Sequence, residues 1–195
     1  MLSFRLDPYI WIHVAGLAIA PIFLEFAWMG FALAGSLTYL EFILLAAIGL
    51  IPIFWMQWNK PFNIYSLLFW CLKPEELTIE QRKVLSLYKL PTKRLLTLFL
   101  SAGMLLLLWL IYKNAPLASS AAQRLFPSIK LLGLLMASLS FVLANLFIQV
   151  ALSTLAVLLT SKKALENVSL WETENISRDF TCFGWKLKKI VPNLK

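Results

Sequence analysis

The chain has 195 residues, of which 60% are hydrophobic and 14% charged, against roughly 25% charged in an ordinary soluble domain. A soluble chain of this length does not bury that much apolar surface, so a soluble globular class is excluded and a bilayer is implied. The net charge of +8 does not indicate a nucleic-acid partner, because the basic residues flank apolar runs and form no free-standing basic domain.

Taken in chain order, the first predicted element is a spanning helix over about 9–34. Asp7 and Pro8 open it as an N-cap acid followed by proline at the first helical position. Tyr9 and Trp11 suit an interfacial aromatic belt. Only Arg5 precedes the apolar stretch, which continues past Pro21 and Glu25 without a small-residue cleavage site, so a retained helix is expected rather than a cleaved leader. Pro21 frees the carbonyl of Leu17 and predicts a kink. A tight break at 35–38 leads into a second span over about 39–58, which forms an antiparallel hairpin with the first. Glu41 sits at its start, where a carboxylate complements the helix dipole, and Pro52 predicts a second kink.

Asn59, Lys60 and Pro61 end that helix. Residues 62–72 are apolar but too short to span, and their aromatics predict an interfacial helix at the headgroup level. Thr78 and Gln81 form a capping box that opens a short amphipathic helix over 79–90, closed by Pro91. Lys93 and Arg94 anchor a third span over about 95–112. Residues 113–130, rich in Ala, Ser and Pro, read as a loop. The fourth span lies within 131–160, whose thirty uncharged residues would rise about 45 Å, so it must tilt or leave the hydrocarbon at its ends. The fold class expected is thus an all-α integral membrane protein with about four transmembrane helices. Residues 1–160 form the membrane domain, with a cytoplasmic middle loop over 59–94, and 161–195 form a basic cytoplasmic tail. In that tail Trp185, Lys186, Lys188 and Lys189 alternate apolar and basic character, which suits an anionic membrane surface.

Four spans place both termini on one side. That side carries fifteen Lys and Arg residues and the other carries three, so the termini and the middle loop are expected in the cytoplasm.

Chemistry-bearing residues are few. Glu25 lies in the first span among Phe23, Leu24, Phe26 and Trp28, where an ionised carboxylate requires a partner or a protein interior. Asn145 and Gln149 share one face of the fourth span at i,i+4, and with Glu25 they make a candidate intramembrane polar site. Hydrogen-bonded packing between helices is the plainer role for them. His13 is the single histidine and is a candidate axial ligand to a pigment, with an interfacial hydrogen bond as the simpler role. It lies about 18 Å along a helix from Glu25, so the two do not share a site. Cys71 and Cys182, 111 positions apart, form no CxxC pair, which argues against a zinc or redox motif; a single bridge between them stays open. No phosphate loop, metal-binding His pair or Ser/His/Asp set can be assembled.

The stretch from Asp7 to Leu17, with His13 inside it, then Pro21, Leu24, Glu25 and Trp28, resembles the start of a cyanobacterial family labelled "low-complexity tail membrane protein". Pro52 with Trp55, Met56, Gln57 and Trp58, then Lys60, Pro61 and Phe62, continues the likeness. So does the run from Lys73 to Thr78, with Gln81, Arg82, Leu85 and Ser86. The resemblance covers roughly the first 110 residues. It implies a photosynthetic bacterial source and a thylakoid or plasma membrane, and transfers no site residue. The short C-terminal end lacks the low-complexity tail of the family's label.

The expected function is that of a non-enzymatic accessory subunit or assembly factor in a photosynthetic or respiratory complex, with the lipid bilayer and other membrane-protein subunits as partners. The alternatives are a small oligomeric transporter or channel-like module using Glu25, or a membrane protein binding chlorophyll, carotenoid or quinone.

Overall fold

The computed structural model describes residues 3–67 and 69–190. The last five residues of the expected tail, and Leu68 within the expected interfacial helix, lie outside them. The elements in order are α1 (Pro8–Ala15), α2 (Ala20–Ala34), α3 (Tyr39–Asn59), β1 (Ser66–Leu67), β2 (Trp70–Leu72), α4 (Ile79–Tyr88), α5 (Pro91–Lys113), α6 (Ser119–Leu125), α7 (Lys130–Leu158), α8 (Lys162–Asn167), α9 (Thr173–Asp179) and β3 (Trp185–Leu187). Four segments are long and apolar enough to cross a bilayer: Pro8–Ala34, Tyr39–Asn59, Pro91–Lys113 and Lys130–Leu158. The all-α membrane class with four spans therefore holds.

Local chemistry accounts for the boundaries. The Asp7 carboxylate accepts from the Tyr9 amide at 3.0 Å, and Pro8 takes the first helical position. Between α1 and α2 the chain tightens into a 3-10 turn over Gly16–Ile19, just before Pro21, which has no amide to return to the Leu17 carbonyl. Thr38 and Glu41 form a reciprocal cap on α3: the Thr38 amide donates to Glu41 Oε2 at 2.8 Å and the Glu41 amide to Thr38 Oγ1 at 3.3 Å. Glu41 also pairs with Lys130 at 2.7 Å. The capping box of α4 is formed as the sequence predicts. Pro91 opens α5 rather than merely closing α4, because proline tolerates the first turn of a helix.

The chain divides into two compact units, one of Met1–Ala15, Trp55–Thr97 and Val150–Lys195 and the other of Gly16–Phe54 and Leu98–Gln149. This differs from the expected division into 1–160 and 161–195. Residues 161–190 are not an appendage: α8 and α9 share a core with the N-terminal segment and the connection after α3, and β3 pairs with β2. Leu165, Ile176 and Phe180 are buried with Phe4, Ile10, Tyr65, Leu85 and Leu87. Arg5 donates to the Thr160 carbonyl at 3.2 Å, Gln81 to the Asp7 carboxylate at 3.0 Å, and Arg82 to the Trp171 carbonyl at 2.8 Å. Both described ends of the chain thus belong to one unit, as an even number of crossings allows.

Among the described residues of 62–72 the expected interfacial helix is absent. Asn63 bends the chain there: its Oδ1 accepts from the Tyr65 amide at 2.9 Å, and its carbonyl accepts from both the amide and the hydroxyl of Ser66. Such side-chain and turn bonds compete with a helix. The segment continues as an antiparallel hairpin, Ser66 opposite Cys71 and Leu67 opposite Trp70. β3 then adds in parallel to β2, with Trp185 beside Trp70 and Lys186 beside Cys71. Gly184 makes that addition possible. Its φ is +83°, and a Cβ there would stand 1.9 Å from the Phe69 carbonyl oxygen, the acceptor of the Trp185 amide at 2.8 Å.

The second unit is helical. The expected loop over 113–130 contains α6, which lies against α2 and buries Ala118 and Ala122 with its preceding turn. Alanine-rich sequence is good helix former once one face finds a partner. α7 organises the unit. Its Gly133 and Ala137 meet Gly30 and Ala34 of α2 so closely that a Cβ on Gly30 would stand 2.5 Å from the Ala137 nitrogen, and one on Gly133 2.4 Å from the Ala34 nitrogen. This is a small-xxx-small crossing on both helices. Farther along, Phe147 stacks on Phe23 at 5.8 Å, which fixes the pair as antiparallel. On α3, Gly49 receives the Phe141 ring.

Gly133→Val should therefore destabilise the protein by about 1–3 kcal/mol through overpacking. Gly103→Ala, where no atom lies within 4 Å of the added Cβ, should be neutral or slightly stabilising. Thermal unfolding of both variants in detergent checks the contrast.

Candidate functional site

In the helical unit the polar side chains of α7 form a chain across three helices. Asn145 Nδ2 donates to the Gly49 carbonyl of α3 at 2.9 Å. Gln149 Nε2 donates to Asn145 Oδ1 at 3.0 Å and to Ser101 Oγ of α5 at 3.1 Å. Both amides are fully buried. In a bilayer such bonds hold helices together. Every member is neutral, so the chain carries no charge and no readily exchanged acidic proton. Ser138 is not part of it, as its hydroxyl returns to the Leu134 carbonyl.

Glu25 stands apart from this chain: no described hydrogen bond joins it to Asn145 or Gln149. It lies exposed on α2, in an open groove with Leu24, Trp28, Leu107, Leu110, Ile111 and Asn114. Trp28 Nε1 donates to the Asn114 carbonyl at 2.8 Å, just beyond the end of α5. Glu25 is one helical turn from Trp28, so its carboxyl sits near the polar end of the third span rather than at its middle. That position makes a carboxylate far less costly than the bilayer centre.

In the other unit a second cluster gathers around Asn63, which is fully buried. Its Oδ1 is engaged by the Tyr65 amide, so the amide orientation is set and Nδ2 points at sulfur. Nδ2 donates to Cys182 Sγ at 3.2 Å and stands 3.9 Å from Cys71 Sγ. The two sulfurs lie 2.6 Å apart, with Cys71 donating to Cys182, and both cysteines are free. Cys71 is fully buried on β2 and Cys182 is partly exposed. Donation by the Cys71 thiol and by Asn63 holds the Cys182 thiol below its ordinary value despite its burial. Its bond to Cys182 and burial push the Cys71 thiol up. Lys186, the register partner of Cys71, favours the thiolate of both and donates to Ser177 at 2.9 Å.

Sequence spacing left a bridge between these two cysteines open but did not bring them together. The signal needed was that the tail folds back as a third strand, and no local pattern carries that.

His13 borders the same cluster. Its Nε2 lies 2.8 Å from the Ile64 carbonyl, which only accepts, so Nε2 carries the proton. Only Nδ1 then keeps a lone pair, and an axial ligand would have to use it. The ring meets Phe62 edge-on at 5.5 Å, and Phe62 meets Phe183 at 6.1 Å.

The opposite face of the small sheet is aromatic. Trp70 is 50% exposed and Trp185 72%, side by side in register, with Phe69 and Phe183 also exposed. Lys186, Lys188 and Lys189 are exposed along the same strand and the residues after it. The structure thus places Trp185 and Lys186 on the edge strand β3, facing opposite sides, with Lys188 and Lys189 just after it.

A family model described as low-complexity tail membrane protein-like matches residues 6–192. The chain belongs to that family. The match runs well past the first 110 residues that carry the sequence resemblance, so α8, α9 and β3 are part of the family's own domain. No curated protein and no solved structure matches the chain. Among the described residues, no group of three or more His, Cys, Asp or Glu side chains is arranged to hold a metal ion.

Asn145→Ala should cost about 1–2 kcal/mol, because it removes the bond to the Gly49 carbonyl and leaves Ser101 as the remaining partner of the Gln149 Nε2 group. Glu25→Gln should change stability by less than about 0.5 kcal/mol. Unfolding midpoints in detergent distinguish the two.

Proposed function

We propose that this membrane protein is a non-enzymatic accessory subunit or assembly factor of a photosynthetic or respiratory complex in a cyanobacterial thylakoid or plasma membrane, with both ends on the cytoplasmic side. The observation that carries the reading is the mixed unit. Three separate stretches of chain, 3–15, 55–97 and 150–190, combine there, and much of their sequence lies outside the four spans. A protein needing only to cross the bilayer would connect its helices more briefly. The outer face of this unit presents Trp70 and Trp185, with Phe69 and Phe183 exposed next to them and Lys188 and Lys189 exposed just after β3. Adjacent exposed aromatics with a basic rim suit a protein or membrane contact, and the basic residues also suit anionic headgroups.

Two further features agree. Most of the third span's apolar surface is exposed, which leaves room for helices of other subunits. Thirteen of the eighteen basic residues fall in the terminal segments and the connection after α3, and Lys93 and Arg94 stand in the first turn of α5, a distribution that suits cytoplasmic chain under the positive-inside rule.

A tagged chain solubilised in mild detergent should copurify in fixed ratio with subunits of a photosynthetic or respiratory complex. The double variant Trp70→Ser, Trp185→Ser should stay in the membrane fraction and lose those subunits. Recovery of the native chain by itself would contradict the reading, as would retention of the same subunits by the double variant.

A further inference from the structure

We propose that Cys71 and Cys182 form a reversible dithiol–disulfide couple, closed by exchange with a disulfide-bearing molecule, that latches the C-terminal segment to the β-hairpin. The two cysteines come from stretches 111 residues apart, yet their sulfurs face each other at 2.6 Å, so closure needs no rearrangement of the backbone. The buried Asn63 amide serves both sulfurs from one side. Cys182 is the partly exposed member and Cys71 the buried one, the arrangement of an attacking thiol with a resolving thiol behind it. The site has a further sign of exchange chemistry: Cys182 is held toward its thiolate form by two donors and a nearby ammonium.

The step balances as follows. The Cys182 thiolate attacks one sulfur of the incoming disulfide, expels one thiolate and forms a mixed disulfide. Cys71 loses its proton to that departing thiolate and attacks Cys182 Sγ, expelling the second. Two protein thiols are oxidised to one disulfide, and the incoming disulfide is reduced to two thiols. A small or protein dithiol reverses the reaction. The bridge ties β2 to Cys182, three positions before β3, adding a covalent link to the parallel pairing of β2 with β3 and to the flanking Phe69–Trp185 and Lys73–Leu187 backbone bonds. This property resides in the chain itself and does not depend on the accessory role.

The test uses the full-length wild-type protein in detergent, equilibrated with mixtures of oxidised and reduced glutathione. Free thiols are trapped with a maleimide that shifts the band on a gel. Both thiols should disappear together in a single two-electron transition and return with dithiothreitol. Two labelled thiols in every mixture would overturn the couple, and so would a bridge that dithiothreitol leaves closed in the folded protein. Cys71→Ser should instead accumulate a glutathione adduct on Cys182, whereas Cys182→Ser should leave Cys71 unmodified; the opposite pattern would overturn the assignment of attacking thiol. Limited proteolysis within 161–190 should be several-fold slower in the oxidised wild-type protein, and equal rates in the two states would overturn the latch.

Discussion

The close crossing of α2 and α7 at Gly30 and Gly133 is the contact on which the helical unit depends. In lipid there is little hydrophobic gain from bringing one apolar helix to another, so association relies on close packing and on hydrogen bonds. Two glycines that present backbone to backbone, with Ala34 and Ala137 one turn away, supply the packing. Once α7 is seated against α2, its next turns meet α3 through Phe141 at Gly49 and Asn145 at the Gly49 carbonyl. Beyond them Gln149 reaches Ser101 of α5. A single helix thereby makes defined contacts with each of the other three spans.

The mixed unit follows a different logic. Its core is a conventional hydrophobic one, built around Ile64, Tyr65, Leu85, Leu87, Ile176 and Phe180. Its polar interior is organised by Asn63, which bends the chain after α3 and positions two cysteines from distant stretches. The chemistry of this protein is concentrated there. In the spans the neutral amides of α7 hold helices together, and the single carboxylate of α2 lies toward a polar end. Membership of the low-complexity tail membrane protein-like family extends over both units.

Much of this was legible in the sequence, because bilayer spans and helix caps are local signals. The four uncharged runs mark the spans, Asp7 with Pro8 marks the start of α1, and Thr78 with Gln81 marks the start of α4. What was not legible depended on distant partners. Residues 62–72 carry the apolar character of either a short helix or a strand, and periodicity over so few residues does not separate them; the decision lies in the Asn63 turn and in β3, more than a hundred residues away. α6 is hidden in an Ala- and Ser-rich stretch that α2 stabilises. Gly30 and Gly133 are unremarkable singly and acquire meaning only as a facing pair. Glu25 lies well inside its own helix by counting residues, yet the offset between α2 and α5 brings it into one groove with Asn114.

The central claim is that four crossings return the chain to the side it left, so that its two ends and the connection after α3 build one folded unit. Topology reporters, alkaline phosphatase and a fluorescent protein, test this most directly when fused at the N-terminus, within 74–77, within 115–118 and after 190. The N-terminal, 74–77 and post-190 fusions should report one side and the 115–118 fusion the other. Chain ends on opposite sides, or a 115–118 fusion on the same side as both ends, would contradict the account.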